Sequence, residues 1–239
     1  MEHLEFEIQP QPDETTCGPT CLQAVYKFHD HDVPLRTVID EVPALAEGGT
    51  LAVNLACDAL RRGFSAVIYT YNVQIFDPTW FDEPDRLTER LQRQRDAKPD
   101  DARLQEATPR YLEFLSLGGE LRYRDLTPAL LRGYLRAGTP ILTGLSATYL
   151  YGCARERDIG NRKTEYDDLA GTPVGHFVVI CGYDPETREM LVADPLHDNP
   201  RYGSRYYRVS VDRVIGAILL GIVTYDANLL ILRPPGANR

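Results

Sequence analysis

The strongest constraint on the fold is a pair of apolar segments late in the chain. His176-Phe-Val-Val-Ile-Cys-Gly-Tyr183 is a short run rich in β-branched residues, and Met190-Leu-Val-Ala-Asp194 follows it after Asp184-Pro185-Glu186. Runs of this length, punctuated by a proline-containing turn, specify two strands joined as a hairpin. Ile141 to Leu145, Tyr206 to Val211 and Leu229 to Leu232 read as further strands. Near the start, Leu4, Phe6 and Ile8 alternate with Glu5, Glu7 and Gln9, the period-two pattern of a half-buried strand, and Phe64 to Tyr71 reads as one more.

Helical signals concentrate in the first half. Thr15-Thr16-Cys17-Gly18-Pro19 reads as a helix start, because a threonine caps and a proline in the first turn lacks only an N–H that has no partner there. Leu22, Val25 and Tyr26 then form an apolar stripe. A second helix fits residues 50–62, with Gly63 as its stop, and a third runs from Thr127-Pro128 to Gly138. Asp212 to Leu220 reads as a short fourth. Helices ahead of antiparallel strands make an α+β pattern in a single domain over residues 1–239. Two segments stand apart. Residues 77–106 carry mixed charge with helical pairs such as Glu89–Arg93, so 77–125 is expected to hold a solvated helical insertion. Residues 149–174 are polar and glycine-rich, and too long for a simple connector.

Composition narrows the partners. Thirty-five acidic residues against 26 basic ones give a formal charge of -9, which repels phosphates and argues against nucleic acid or an anionic membrane surface. The N-terminus is acidic with no apolar segment behind it, and the longest apolar run, Val214 to Val223, is too short to span a bilayer. A cytoplasmic location is therefore expected, with the five cysteines as free thiols. Without a Cys-x-x-Cys, or a histidine pair at ligand spacing beyond His29-Asp30-His31, no metal or other cofactor is expected.

Among the thiols, Cys17 sits at a helix N-terminus, where the helix dipole favours thiolate over thiol. Cys21 follows one turn later and reads as a packed thiol. A base for Cys17 is best sought in His176, which opens an apolar strand right after Gly175, whereas His3, His29, His31 and His197 lie in polar settings. Asp194 closes the next strand. Residues 176 and 194 are equidistant from Pro185, so a hairpin centred there places them directly opposite and on one face, provided the register does not slip.

At these residues the sequence resembles a known family. Gln11-Pro-Asp-Glu-Thr-Thr-Cys17-Gly18-Pro19-Thr20-Cys21-Leu22, with Gly175-His176 ahead of its strand and Val192-Ala-Asp194-Pro195 downstream, is similar to the papain-like cysteine peptidases that remove double-glycine leaders from bacteriocins, and most of all to their stand-alone relatives. The resemblance implies a papain-like fold, with a nucleophile helix packed on an antiparallel sheet, and a peptide or peptide-like amide substrate. It assigns Cys17 as nucleophile, His176 as base, Asp194 as orienting carboxylate and Gln11 as oxyanion donor. Gly18 and Gly175, flanking the reactive residues, and Tyr149 and Tyr151, in the loop ahead of His176, are the expected substrate contacts. Departures are equally plain. Position 16 is Thr where those peptidases usually carry Asp, and Cys17 and His176 lie 159 residues apart, wider than in compact peptidase domains. The same triad would serve an acyltransferase or transglutaminase-like enzyme, the fold alone would serve a non-catalytic peptide-binding module, and Cys17 with Cys21 is a distant redox alternative.

Overall fold

The computed structural model describes residues 2–45, 48–160, 164–224 and 226–236. Its strands are β1 (Glu2–His3), β2 (Ser65–Thr70), β3 (Glu120–Arg122), β4 (Ile141–Ser146), β5 (Glu156–Asp158), β6 (Thr164–Tyr166), β7 (Gly175–Asp184), β8 (Glu189–Ala193), β9 (Tyr206–Ser210) and β10 (Asn228–Arg233). Its helices are α1 (Cys17–Phe28), α2 (Leu35–Glu41), α3 (Ala52–Arg61), α4 (Leu87–Ala97), α5 (Ala102–Ser116), α6 (Pro128–Arg136), α7 (Ala147–Tyr151) and α8 (Val211–Leu220). The main sheet runs β3-β2-β10-β4-β7-β8-β9, with β1 added beside β7. Apart from the parallel pair β2–β3, its pairings are antiparallel. The fold is α+β.

Alternation along the central strands divides the interior into two layers. From β7, Phe177, Val179 and Cys181 pack with α1, α3 and α5, whereas Val178 and Ile180 pack with residues of α6, α7 and α8. Strand β10 does the same, sending Leu230 and Leu232 one way and Leu229 and Ile231 the other. A strand buried on both faces reads as a continuous apolar run. That is why β7 shows no polar alternation in the sequence.

The hairpin β7–β8 departs from the register that symmetry about Pro185 implies. Asp184 pairs with Glu189 and Gly182 with Leu191, then the ladder slips at Cys181, so that Ile180 pairs with Val192 and Val179 with Ala193. Asp194 therefore falls level with Val178 rather than with His176. The offset is two residues, so both side chains still share the face of Val178 and Ile180, as diagonal neighbours within reach of a histidine. The bulge is what preserves this. Continuing the turn-side register without it would set Asp194 opposite Val179, on the other face.

Other expectations are revised. The N-terminal segment alternates as read, with Phe6 and Ile8 buried, but its ladder bonds stop at Leu4, whose N–H donates to Cys181 O. Thr16 is the residue ahead of α1, yet its hydroxyl does not cap the helix; it exchanges hydrogen bonds with the backbone of Asp13. His29 and His31 are not free polar side chains, since both rings pack edge-on against Phe64. The 77–125 stretch is helical and charged on its outer face, where Glu83, Arg86, Glu89, Arg90 and Arg93 interlock. Its inner face is core. Leu87, Leu91, Leu104, Ala107, Tyr111 and Phe114 are buried, and β3 extends the sheet. The 149–174 stretch is only partly loop: it holds the end of α7 and the β5–β6 hairpin, while residues 161–163 lie outside the described set.

If the insertion belongs to the core, Phe114→Ala should destabilise the whole domain by about 3–5 kcal/mol, read from urea unfolding. A midpoint that hardly moves would mark the segment as an appendage.

Candidate active site

Helix α1 brings the first reactive group. Cys17 is its first residue, and Gly18 behind it packs so closely that an added Cβ would lie 2.7 Å from the Thr50 methyl and 3.2 Å from the Phe177 ring. This glycine is a packing requirement and not part of the cleft lining. It seats the helix N-terminus against the mouth of β7, where His176 stands.

His176 Nε2 lies 2.8 Å from Asp194 Oδ1, which leaves Nδ1 as the ring nitrogen available to the Cys17 thiol. The Asp194 carboxylate is fully buried and saturated with donors. Oδ1 also accepts from Leu196 N–H at 2.9 Å, and Oδ2 accepts from the hydroxyls of Tyr151 and Tyr207, both at 2.7 Å. Tyr202 stacks on the Tyr207 ring at 3.9 Å between centroids and holds it in place. Hydrogen bonds to a charged group contribute about 1.5–3 kcal/mol each, and this shell offsets the cost of burying an ion.

The electrostatics follow from these contacts. Burial resists ionisation of Asp194, but the charge and hydrogen bond of His176 and the two tyrosine hydroxyls win, so its pKa lies below the usual value. Burial likewise disfavours a charged His176, yet Asp194 and the Cys17 thiolate raise its pKa to about 10. For Cys17, burial opposes the thiolate, while the charge and hydrogen bond of His176 and the N–H groups of Phe177 and Gly18 favour it more strongly, and its pKa falls. Cys21 has no such partner. Burial and the neighbouring Cys17 and Asp194 charges push it well up, and its Sγ is 3.2 Å from Phe177 O.

Cys17 and His176 open onto a cleft of about 770 Å³. Gly144, Leu145 and Gly175 line its sheet side, the segments around Thr50 and Pro173 flank it, and Ala102, Arg103 and Glu106 of α5 complete it. Gly175 is thus where a substrate contact was expected. Tyr149 and Tyr151 are not in the cleft. Tyr151 is turned inward onto Asp194, and Tyr149 lines a separate recess, its ring under the Arg213 guanidinium. Gln11 is tethered near the carboxylate end, its N–H on Pro195 O at 2.9 Å, but it does not line the cleft; its side-chain amide donates to Asp13 O at 2.8 Å. One amide hydrogen of Gln11 remains unused by that bond.

Sequence reasoning missed three contributors. Tyr207 carried a signal: in a strand alternating around Val209, it falls on the inner face. Asp226 borders the cleft and binds the first N–H of α3, Ala52 N, at 2.5 Å, and Asn228 Nδ2 at 2.7 Å; burial raises its pKa to about 6. The third is the first turn of α5, whose place in the cleft depends on how the insertion folds back.

A family model described as "Peptidase_C39 like" matches residues 122–211, a span that includes His176 and Asp194 and stops short of Cys17. By that description it is a family like the peptidases that the motifs around Cys17 and His176 resemble. No curated protein matches the chain. Among solved structures, the peptidase domain of Streptococcus ComA, a bi-functional ABC transporter, is similar at 15% identity with a TM-score of 0.45, covering 96% of this chain and 99% of that one. A double glycine motif protease from an AMS/PCAT transporter, solved with its leader peptide, gives 13% identity and a TM-score of 0.47, over 97% and 94%. Xylellain, a cysteine protease from Xylella fastidiosa, gives 14% and 0.44, over 97% and 84%.

Two measurements bear on the site. Alkylation of Cys17 by iodoacetamide requires the thiolate, so its rate should be established below the range of an ordinary thiol and lose the help of the imidazolium above about pH 10. A single rise near the ordinary thiol value of about 8.5 would contradict the ion pair. Tyr207→Phe removes one donor from a buried carboxylate and should cost about 1–3 kcal/mol of stability, with slower Cys17 alkylation at neutral pH.

Proposed function

We propose that the chain is a cysteine peptidase that cleaves a peptide amide bond through a thioester on Cys17. One observation carries this reading: a saturated carboxylate, a histidine and a thiol are joined in series at the mouth of a cleft large enough for several peptide residues. Such an arrangement lowers a thiol's pKa and orients its base, and both are needed for nucleophilic catalysis.

In this mechanism the Cys17 thiolate attacks the substrate carbonyl carbon, forming the C–S bond and placing negative charge on the oxygen. The Cys17 N–H, which has no intrahelical acceptor at the first position of α1, donates to that oxyanion. The motif resemblance assigns Gln11 as the second donor; its side-chain amide, held on Asp13 O outside the cleft lining, would have to turn toward Cys17 to serve. The His176 imidazolium gives its Nδ1 proton to the departing amine as the C–N bond breaks. It then takes a proton from water, which attacks the thioester, releases the acid and restores the thiol pair. Asp194 stays ionised throughout and fixes the ring by holding Nε2–H. The metal-free character of the scheme is part of the proposal.

The test is turnover of a diverse peptide mixture, followed by mass spectrometry. Wild-type protein should yield cleaved peptides and, on acid quench, a covalent adduct on Cys17. Cys17→Ala should give neither, and Asp194→Asn should slow turnover by about 10³–10⁴-fold while leaving the fold in place. Gln11→Ala should reduce kcat by about 10²–10³-fold, as for loss of one oxyanion donor. Cleavage that survives Cys17→Ala would end the proposal. Products joined to an added amine in preference to water would redirect it to acyl transfer.

A further inference from the structure

The insertion that separates Cys17 from His176 reaches into the cleft, and its chemistry there bears on which peptides fit, given the peptidase function proposed above. Helix α5 starts at Ala102, with Asp101 accepting from Leu104 N–H at 3.0 Å as its cap, and this fixes the first turn against the cleft. Ala102, Arg103 and Glu106 line it, while Leu104, Ala107 and Tyr111 of the same helix are buried on its other side. The wall is therefore rigid, because the helix that carries it is anchored in the core.

Among the described residues, the charged groups of the cleft are few. Cys17 and His176 form a pair whose charges offset each other. Asp226 is buried, with its two carboxylate oxygens on Ala52 N–H and Asn228. Burial raises its pKa to about 6, so it is the weaker source of negative charge in the cleft. Arg103 also lines a small neighbouring recess together with Asp101. Glu106 differs from all of these. It is exposed, and among the described residues its carboxylate makes no ion pair or hydrogen bond within the protein. Glu106 therefore places an unpaired negative charge, among the described residues, on the wall of the cleft, in a chain whose overall charge is -9. Charge of one sign lining a low-dielectric cleft concentrates ligands of the opposite sign.

We infer that Glu106 is a specificity-determining residue, which selects peptides carrying a lysine or arginine side chain close to the scissile bond. The cation would rest against the first turn of α5 with the scissile carbonyl at Cys17. Such selection follows from a segment that the compact arrangement of the same motifs does not require, and it makes the insertion part of substrate recognition.

The experiment uses two thiol reagents of similar size and opposite charge, a trimethylammonium-ethyl and a sulfonatoethyl methanethiosulfonate. Each transfers its thioalkyl group to the Cys17 thiolate with loss of methanesulfinate. The ratio of cationic to anionic rate reports the field in the cleft without any peptide turnover. Glu106→Gln should lower this ratio about three- to tenfold and Glu106→Lys should lower it further. Glu89→Gln, on the outer face of α4, should leave it unchanged, and 1 M salt should erase most of the difference. A ratio that does not move in Glu106→Lys overturns the inference. With a positional peptide library, wild type should prefer Lys or Arg at one subsite, and Glu106→Lys should shift that preference to Asp or Glu. Peptides cut with no dependence on residue 106 would sink the selection and leave the peptidase standing. A shifted reagent ratio with no peptide cut would do the reverse.

Discussion

The site depends on one buried carboxylate. Asp194 has no contact with solvent, and an isolated ion there would cost several kcal/mol and would revert to the neutral acid. Four donors from different parts of the chain prevent this: the imidazole of β7, the N–H of Leu196, and the hydroxyls of Tyr151 and Tyr207 from α7 and β9. A charged carboxylate raises the pKa of the imidazole beside it, and a charged imidazole lowers that of the thiol at the start of α1. Each link has a named partner and a direction. Remove the tyrosines and the chain of effects weakens at its first step.

Geometry reaches this carboxylate by a route that the sequence conceals. Symmetry about Pro185 sets residues 176 and 194 opposite each other, and the two do meet, but not for that reason. The turn-side register is offset, and only the extra residue at Cys181 restores the parity that puts both side chains on one face. A bulge is a local backbone event, and its one mark in the sequence is Gly182 beside Cys181, a glycine inside an otherwise apolar strand that does not say which way the register shifts. The pairing was legible because histidine and aspartate are the chemistry-bearing ends of two adjacent strands. The register was not.

Much else divides along the same line. The strands, the helix starts at Cys17 and Pro128, and the α+β pattern rest on local periodicity and turn residues, which act over a few positions. Tyr151 and Gly18 draw notice in the sequence by their place beside reactive residues, but their roles differ from the ones that place suggests. A tyrosine in a polar stretch reads as a ligand contact until its hydroxyl is seen on a buried acid. A glycine after a cysteine reads as room for substrate until Thr50 and Phe177 are seen against it. The charged insertion is harder still. Its outer face, rich in Arg and Glu, outweighs in composition the six apolar residues that anchor it. Whether such a helix turns toward a cleft is settled by long-range packing on α3, on which spacing is silent.

In the resting protein Asp194 is expected to hold His176 protonated against the Cys17 thiolate. The most direct measurement is the ¹⁵N spectrum of the His176 ring followed across pH, in wild type and in Cys17→Ala. An imidazolium is expected at neutral pH in the wild type, with the Nε2 proton shifted by its bond to Asp194, and a titration that moves to lower pH once the thiolate is removed. A neutral His176 ring at pH 7 in the wild type, or a titration indifferent to Cys17, would contradict it.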